Sequence, residues 1–115
     1  MTPLPSIMSV QNSMVKHAYS LKIPKKLKDA EDFLCEGYHL VWEALRSRLK
    51  FRYLFATEES RKQPEGLKIL EAALGQKAKV FTVPSKIISY VSDTVTPQGI
   101  LAVVQKPVPS ASRTV

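Results

Sequence analysis

Apolar residues along this chain follow two alternating rhythms, one recurring every three to four positions and one running in short unbroken blocks, and that alternation predicts an α/β protein. Met14, Val15, Ala18 and Leu21 recur at helical spacing, with Asn12 or Ser13 available as N-cap and Pro24 as a stop, so a first helix is expected over residues 13–22. A Lys-rich turn follows, and Phe33, Leu34 and Cys35 read as a buried strand ended by Gly37. Leu40, Val41, Ala44 and Leu45 form the next helix face, over residues 38–48, with Arg46 and Arg48 in the last turn, where basic side chains complement the helix dipole.

The aromatic run from Phe51 to Ala56 is strand-like, and a polar loop over residues 57–63 leads to Pro64, which suits a first helical position. A third helix would then place Leu67, Leu70, Ala73 and Leu74 inward and stop at Gly75. Residues 79–83 form a third strand, Ser85 opens a short helix burying Ile87, Ile88 and Val91, and Ile100 to Val104 closes the pattern as a continuous apolar strand. Such strands leave no polar side for water. The expected architecture is therefore a three-layer α/β/α sandwich around a mixed, mostly parallel sheet covered on both faces. At 115 residues the chain fits one domain; it is expected to span residues 7–106, with residues 1–6 as a leader and the Pro- and Ser-containing residues 107–115 as the start of a linker.

Three short signatures stand out in order: Ser9-Val10-Gln11-Asn12-Ser13-Met14-Val15-Lys16, then Phe33-Leu34-Cys35-Glu36-Gly37, then Thr96-Pro97-Gln98-Gly99-Ile100. Each alone is weak; their joint order is the specific part. With them the chain, from about Ile7 to Val104, resembles the N-terminal substrate-binding domain of the SpoU (TrmH-like) RNA 2'-O-ribose methyltransferases. The resemblance implies a fold shared with ribosomal proteins that bind kinked RNA. It also implies a structured RNA partner, ribosomal in the first instance, and a separate C-terminal domain that binds S-adenosylmethionine and carries the chemistry. Neither that domain nor an Asn-x-Gly-x-x-x-Arg segment near the reacting ribose is found in this sequence. No catalytic residue or cofactor is therefore expected within it, and homodimerisation is expected only of a full-length protein. The rival reading is a free-standing RNA-binding module of the kinked-RNA type, and fold alone does not separate the two.

Charge supports a polyanionic partner. Seventeen Lys and Arg oppose ten Asp and Glu, for a formal net charge of +7. The distribution is sharper than the total: Lys16, Lys22, Lys25, Lys26 and Lys28 fall in an acid-free stretch, and Arg46, Arg48, Lys50 and Arg52 alternate through another. Two such clusters can make one phosphate-tracking face. The resemblance places RNA contacts on the 25–28 loop, but Lys28 stands where the family often has Arg, replacing a bidentate planar fork by a hydrated point charge.

Individual residues have bland readings beside the functional ones. Asn12 reads first as a helix cap, whereas Lys16 reads as an RNA contact. Glu36 is expected to accept hydrogen bonds from the start of the following helix, and Gly37, Pro97 and Gly99 to satisfy backbone geometry. Gln98 is a candidate for hydrogen-bonding an exposed base edge. Tyr38, Trp42 and Tyr53 fit the core or its rim, with Tyr19 the exception available for base stacking. His17 and His39 lack neighbours at metal-ligand spacing, so neither is assigned to a metal. The lone Cys35 sits in an apolar run as a small hydrophobe. No apolar run approaches the roughly 20 residues of a membrane span, and no secretory or Arg-rich organellar leader is visible, which favours the cytoplasm.

Overall fold

The computed structural model describes residues 4–107. Its elements run α1 (Ser13–Ser20), α2 (Pro24–Asp29), β1 (Asp32–Glu36), α3 (Gly37–Arg46), β2 (Phe51–Ala56), α4 (Glu58–Lys62), α5 (Pro64–Gly75), β3 (Val80–Thr82), α6 (Ser85–Val91) and β4 (Ile100–Gln105). The sheet order is β1-β4-β2-β3. β4 is antiparallel to both β1 and β2, while β2 and β3 are parallel. β1, β2 and β3 thus point the same way, joined by helical crossovers, and the sheet is mixed as expected. Insertion of β4 between β1 and β2 leaves only one of these pairings parallel.

Alternation along β4 builds both cores. Ile100, Ala102 and Val104 face α3 and α5, packing with Val41, Leu45, Leu54, Ile69 and Leu70, while Leu101 and Val103 face α1 and α6, packing with Val15, Phe55, Ile87 and Val91. β2 alternates in register: Leu54 and Ala56 point to the first core, Tyr53 and Phe55 to the second. Phe55 is fully buried, so its truncation to Ala would cost about 3–5 kcal/mol. The three layers of the expected sandwich are therefore present.

Several boundaries differ from the sequence reading. Residues 24–29 form a helix opened by Pro24 at its first turn, not a turn, and residues 58–62 form α4, where Thr57 caps the Ser60 amide at 3.2 Å. Both helices are short, and their signals are caps, not apolar periodicity. The inward face of α5 is Gly66, Ile69, Leu70 and Ala73, whereas Leu67 and Leu74 are partly exposed. Leu40 on α3 is likewise half exposed. Residues 4–6 do not stand apart as a leader: Ser6 bridges Thr82 in parallel, Pro5 accepts the Thr82 amide at 2.9 Å, and Leu4 packs on the first core. The expected linker lies, apart from Pro107, outside the described residues.

Cys35 is buried in the α3/α5 core, and desolvation pushes its thiol up from 9.0 to about 11. The neutral thiol is the only form that suits the fold, so stability should be intact below pH 9 and decline as pH rises towards about 11. Native protein at pH 8 is expected to resist iodoacetamide and to react stoichiometrically in urea; equal labelling rates in the two conditions would refute this burial.

Candidate functional site

Glu36 and Gly37 meet Pro97, Gln98 and Gly99 at the sheet end where β1 and β2 finish and β4 begins. Gly37 turns the chain at φ +87° into α3, and a side chain there would bring its Cβ within 2.6 Å of the Gln98 Oε1. That oxygen accepts the Tyr38 amide at 2.8 Å, capping the N-terminus of α3 from sixty residues away. Gly99 has φ +86°, and a Cβ would meet Thr57 Oγ1 at 2.6 Å; its carbonyl accepts the Thr57 amide. Glu36 does not cap its own helix. Its Oε1 accepts the Ser92 hydroxyl and its Oε2 accepts the Asp93 amide at 3.1 Å, so the carboxylate fastens the loop after α6 to the end of β1. The second and third signatures thus meet, through the Gly37–Gln98 contact and the Gln98 cap on the neighbouring Tyr38 amide.

The basic residues gather elsewhere. Lys106 donates its amide to Glu31 and its ammonium to the Leu27 carbonyl, and Lys50 and Lys79 accept backbone bonds from Gln105 and Leu54, which puts all three lysines at the opposite sheet end. Lys28 sits there at the end of α2, and α3 and α5 deliver Arg46, Arg48 and Lys77 to the same end. Lys77, Lys79 and Lys106 are absent from the sequence-derived set, although Lys77 and Lys79 lie in an acid-free stretch between Glu71 and Asp93 that pointed to them.

Not every candidate cation is available. Lys22 donates to the Tyr90 carbonyl at 2.9 Å and lies 4.5 Å from the centre of the Tyr19 ring, which itself stacks on Tyr90 at 4.6 Å. Tyr19, the expected stacking platform, is therefore engaged within the fold. Asn12 caps α1, accepting from the Met14 amide at 2.8 Å, and Arg46 pairs with Glu43 at 3.0 Å, an exposed contact worth little. Arg48 lies beyond the last turn of α3, with φ 55°. Lys16, Lys25, Lys26, Lys28 and Arg48 are exposed and hold no ion pair among the described residues.

At the same sheet end, a β-bulge in β2 aims Arg52 at the buried Asp32, 2.9 Å away, with Glu31 at 3.6 Å. The Asp32 hydrogen bond and charge raise the guanidinium pKa further. His17 completes this corner, with Nδ1 at 2.7 Å from the Tyr53 hydroxyl and Nε2 at 3.4 Å from Asp32. Burial, with Asp32 nearby, pushes the Tyr53 phenol well above its usual range, so it stays a neutral donor, to the Met14 carbonyl. His39 is exposed on α3, and no group of three metal-ligating side chains occurs among the described residues. Among those residues no helix is long and apolar enough to cross a membrane.

A hydrogen-bonded end and a cation-rich end thus lie on one α/β/α scaffold, and the family match makes it a substrate-binding domain. The chain belongs to the family described as the MRM3-like substrate binding domain, matched over residues 12–102. Its fold is similar to part of an rRNA methyltransferase from Sinorhizobium meliloti, at 21% identity and TM-score 0.73 over 94% of this chain and 39% of that one. An RNA 2'-O ribose methyltransferase matches at 22% identity and TM-score 0.75, over 89% and 38%. The SpoU methyltransferase AviRb from Streptomyces viridochromogenes, in complex with AdoMet, matches at 17% identity and TM-score 0.67, over 89% and 36%. The chain thus spans about two-fifths of the solved structures it resembles. No curated protein matches its sequence significantly.

The interlock makes a quantitative prediction. Gly37→Ala is expected to cost about 2–4 kcal/mol, from the left-handed backbone and the crowding of Gln98, and Gln98→Ala about 1 kcal/mol, as a lost cap. The double variant should lose less than the sum, by about 1 kcal/mol, because Gln98 is the group the new methyl strikes. Urea unfolding of the four proteins measures this, and strict additivity would break the proposed contact.

Proposed function

We propose that this chain is the RNA-capturing domain of an S-adenosylmethionine-dependent RNA 2'-O-ribose methyltransferase acting on ribosomal RNA in the cytoplasm. The observation that carries the reading is that a chain of the substrate-binding family gathers exposed, unpaired cations on one end of its sheet and along α2. Phosphate contacts from Lys16, Lys25, Lys26, Lys28 and Arg48 supply affinity and register, while RNA shape and a few unpaired bases supply discrimination. Gln98 is exposed, and its amide nitrogen can donate to a base edge while its oxygen caps α3.

The contribution of this chain is positioning. Orienting a ribose hydroxyl towards a methyl donor turns an encounter into a unimolecular step, an effect worth several kcal/mol of barrier. We assign the cofactor to a part of such a protein that this chain does not cover; the similar Streptomyces SpoU methyltransferase is in complex with AdoMet.

The test is binding of the 115-residue chain to fragments of ribosomal and transfer RNA at several salt concentrations, beside a variant with Lys16, Lys25, Lys26 and Lys28 changed to Ala. Structure-selective binding that steepens with falling salt is expected, with a log–log slope reduced by about 3 in the folded variant, at roughly 0.7–0.9 per phosphate contact. Weak binding of equal strength to every RNA, indifferent to the substitutions, would sink the reading.

A further inference from the structure

The helices α3 and α5 run side by side and end at the same sheet end, enclosing an open cleft of about 420 Å³ lined by Arg48, Leu49, Lys50, Phe51, Gln76 and Lys77, among others. No carboxylate lines it. Arg48 and Lys77 are also the two described non-glycine residues with positive φ, at 55° and 63°. Glycine is the ordinary occupant of such a helix-terminating position, because a Cβ is strained there.

The usual reason for a cation at a helix end is to satisfy the last carbonyls. Here backbone groups already do so. Arg48 and Leu49 donate their amides to Leu45 and Ala44, Lys77 and Ala78 donate theirs to Leu74 and Ala73, and Gln76 Nε2 reaches across to the Leu45 carbonyl at 3.1 Å. The Arg48 guanidinium and the Lys50 and Lys77 ammonium groups hold no ion pair or hydrogen bond among the described residues. Gln76 thus ties the two helix ends, and the cleft between them is lined by these three cations together with the half-buried Phe51 and Leu49.

We infer that this cleft is a second RNA-binding site, taking the phosphodiester backbone of a strand that runs past the ends of α3 and α5, separate from the α2 lysines. Arg48 supplies the planar fork that Lys28 lacks. Lys50 and Lys77 flank it as point charges, and Phe51 and Leu49 give the sugar edge an apolar floor. The inference rests on the RNA-capture reading, which names the ligand class and Arg48 but neither this cleft nor Lys50 and Lys77.

Glycine substitution makes the test clean, since Arg48→Gly and Lys77→Gly remove the charge and keep the left-handed turn. The full chain, an Arg48→Gly/Lys77→Gly variant, a Lys50→Gln variant and a Lys25→Ala/Lys26→Ala/Lys28→Ala variant are titrated against a fluorescein-labelled rRNA hairpin across a salt series, with circular dichroism melts. The double glycine variant is expected to melt no lower than the parent, to bind roughly tenfold more weakly at low salt, and to lose about 1.5 from its salt slope; Lys50→Gln should lose about 0.8. Parental affinity and slope in both cleft variants, with binding lost in the α2 variant, would overturn the cleft and leave RNA capture standing. No RNA binding by the parent chain would overturn both.

Discussion

Antiparallel insertion of β4 between β1 and β2 is the constraint on which the rest depends. A strand in that place must hydrogen-bond on both edges and bury both faces, which the unbroken run Ile100 to Val104 does, sending alternate side chains into two separate cores. β4 also begins directly after Gly99, so the loop that leads into it must pass over the ends of β1 and β2. There Gln98 meets Gly37 and Gly99 meets Thr57 at distances that leave no room for a Cβ on either glycine. The tight glycine turns, the remote cap on α3 and the Glu36 clamp on Ser92 all follow from threading this strand.

A division of labour between the two ends of the sheet results. Glu36, Gly37, Gln98 and Gly99 hold the crossover helices in place, and their hydrogen bonds are mostly internal. The opposite end is built from helix termini and strand starts, where backbone amides satisfy the carbonyls and long basic side chains are left over for solvent or a ligand. Arg52 and Lys106 are exceptions: the Lys106 ammonium donates to the Leu27 carbonyl, and the proximity of Arg52 to the buried Asp32 commits its charge to the fold. A buried carboxylate without that partner would be costly, so Arg52 belongs to stability although it lies in the same acid-free run as Arg48.

Much of the fold was legible along the chain. The four strands, the longer helices and the two-faced burial of the sheet follow from apolar spacing, because periods of two and of about 3.6 report which side of an element meets the core. The short helices α2 and α4 were not legible, since six and five residues are too few for a period and only Pro24 and the Thr57 cap mark them. The inward face of α5 was misplaced by about a sixth of a turn for a related reason: Leu67 and Leu74 match the pattern as well as Ile69 does, and only contact with α3 and the sheet chooses among them.

The candidate site divides in the same way. By itself the sequence determined that two glycines, a glutamate and a glutamine mark turns and that the cations cluster in acid-free runs, because residue chemistry and local spacing are properties of the chain. Only the tertiary structure decided that Gln98 caps α3, that Glu36 clamps a loop instead of its own helix, that Lys22 and Tyr19 are engaged with Tyr90, and that Lys77 joins Arg48 in one cleft. Those pairings join residues about thirty to seventy positions apart, and which of them meet depends on strand order and on where each helix ends, which no local pattern encodes.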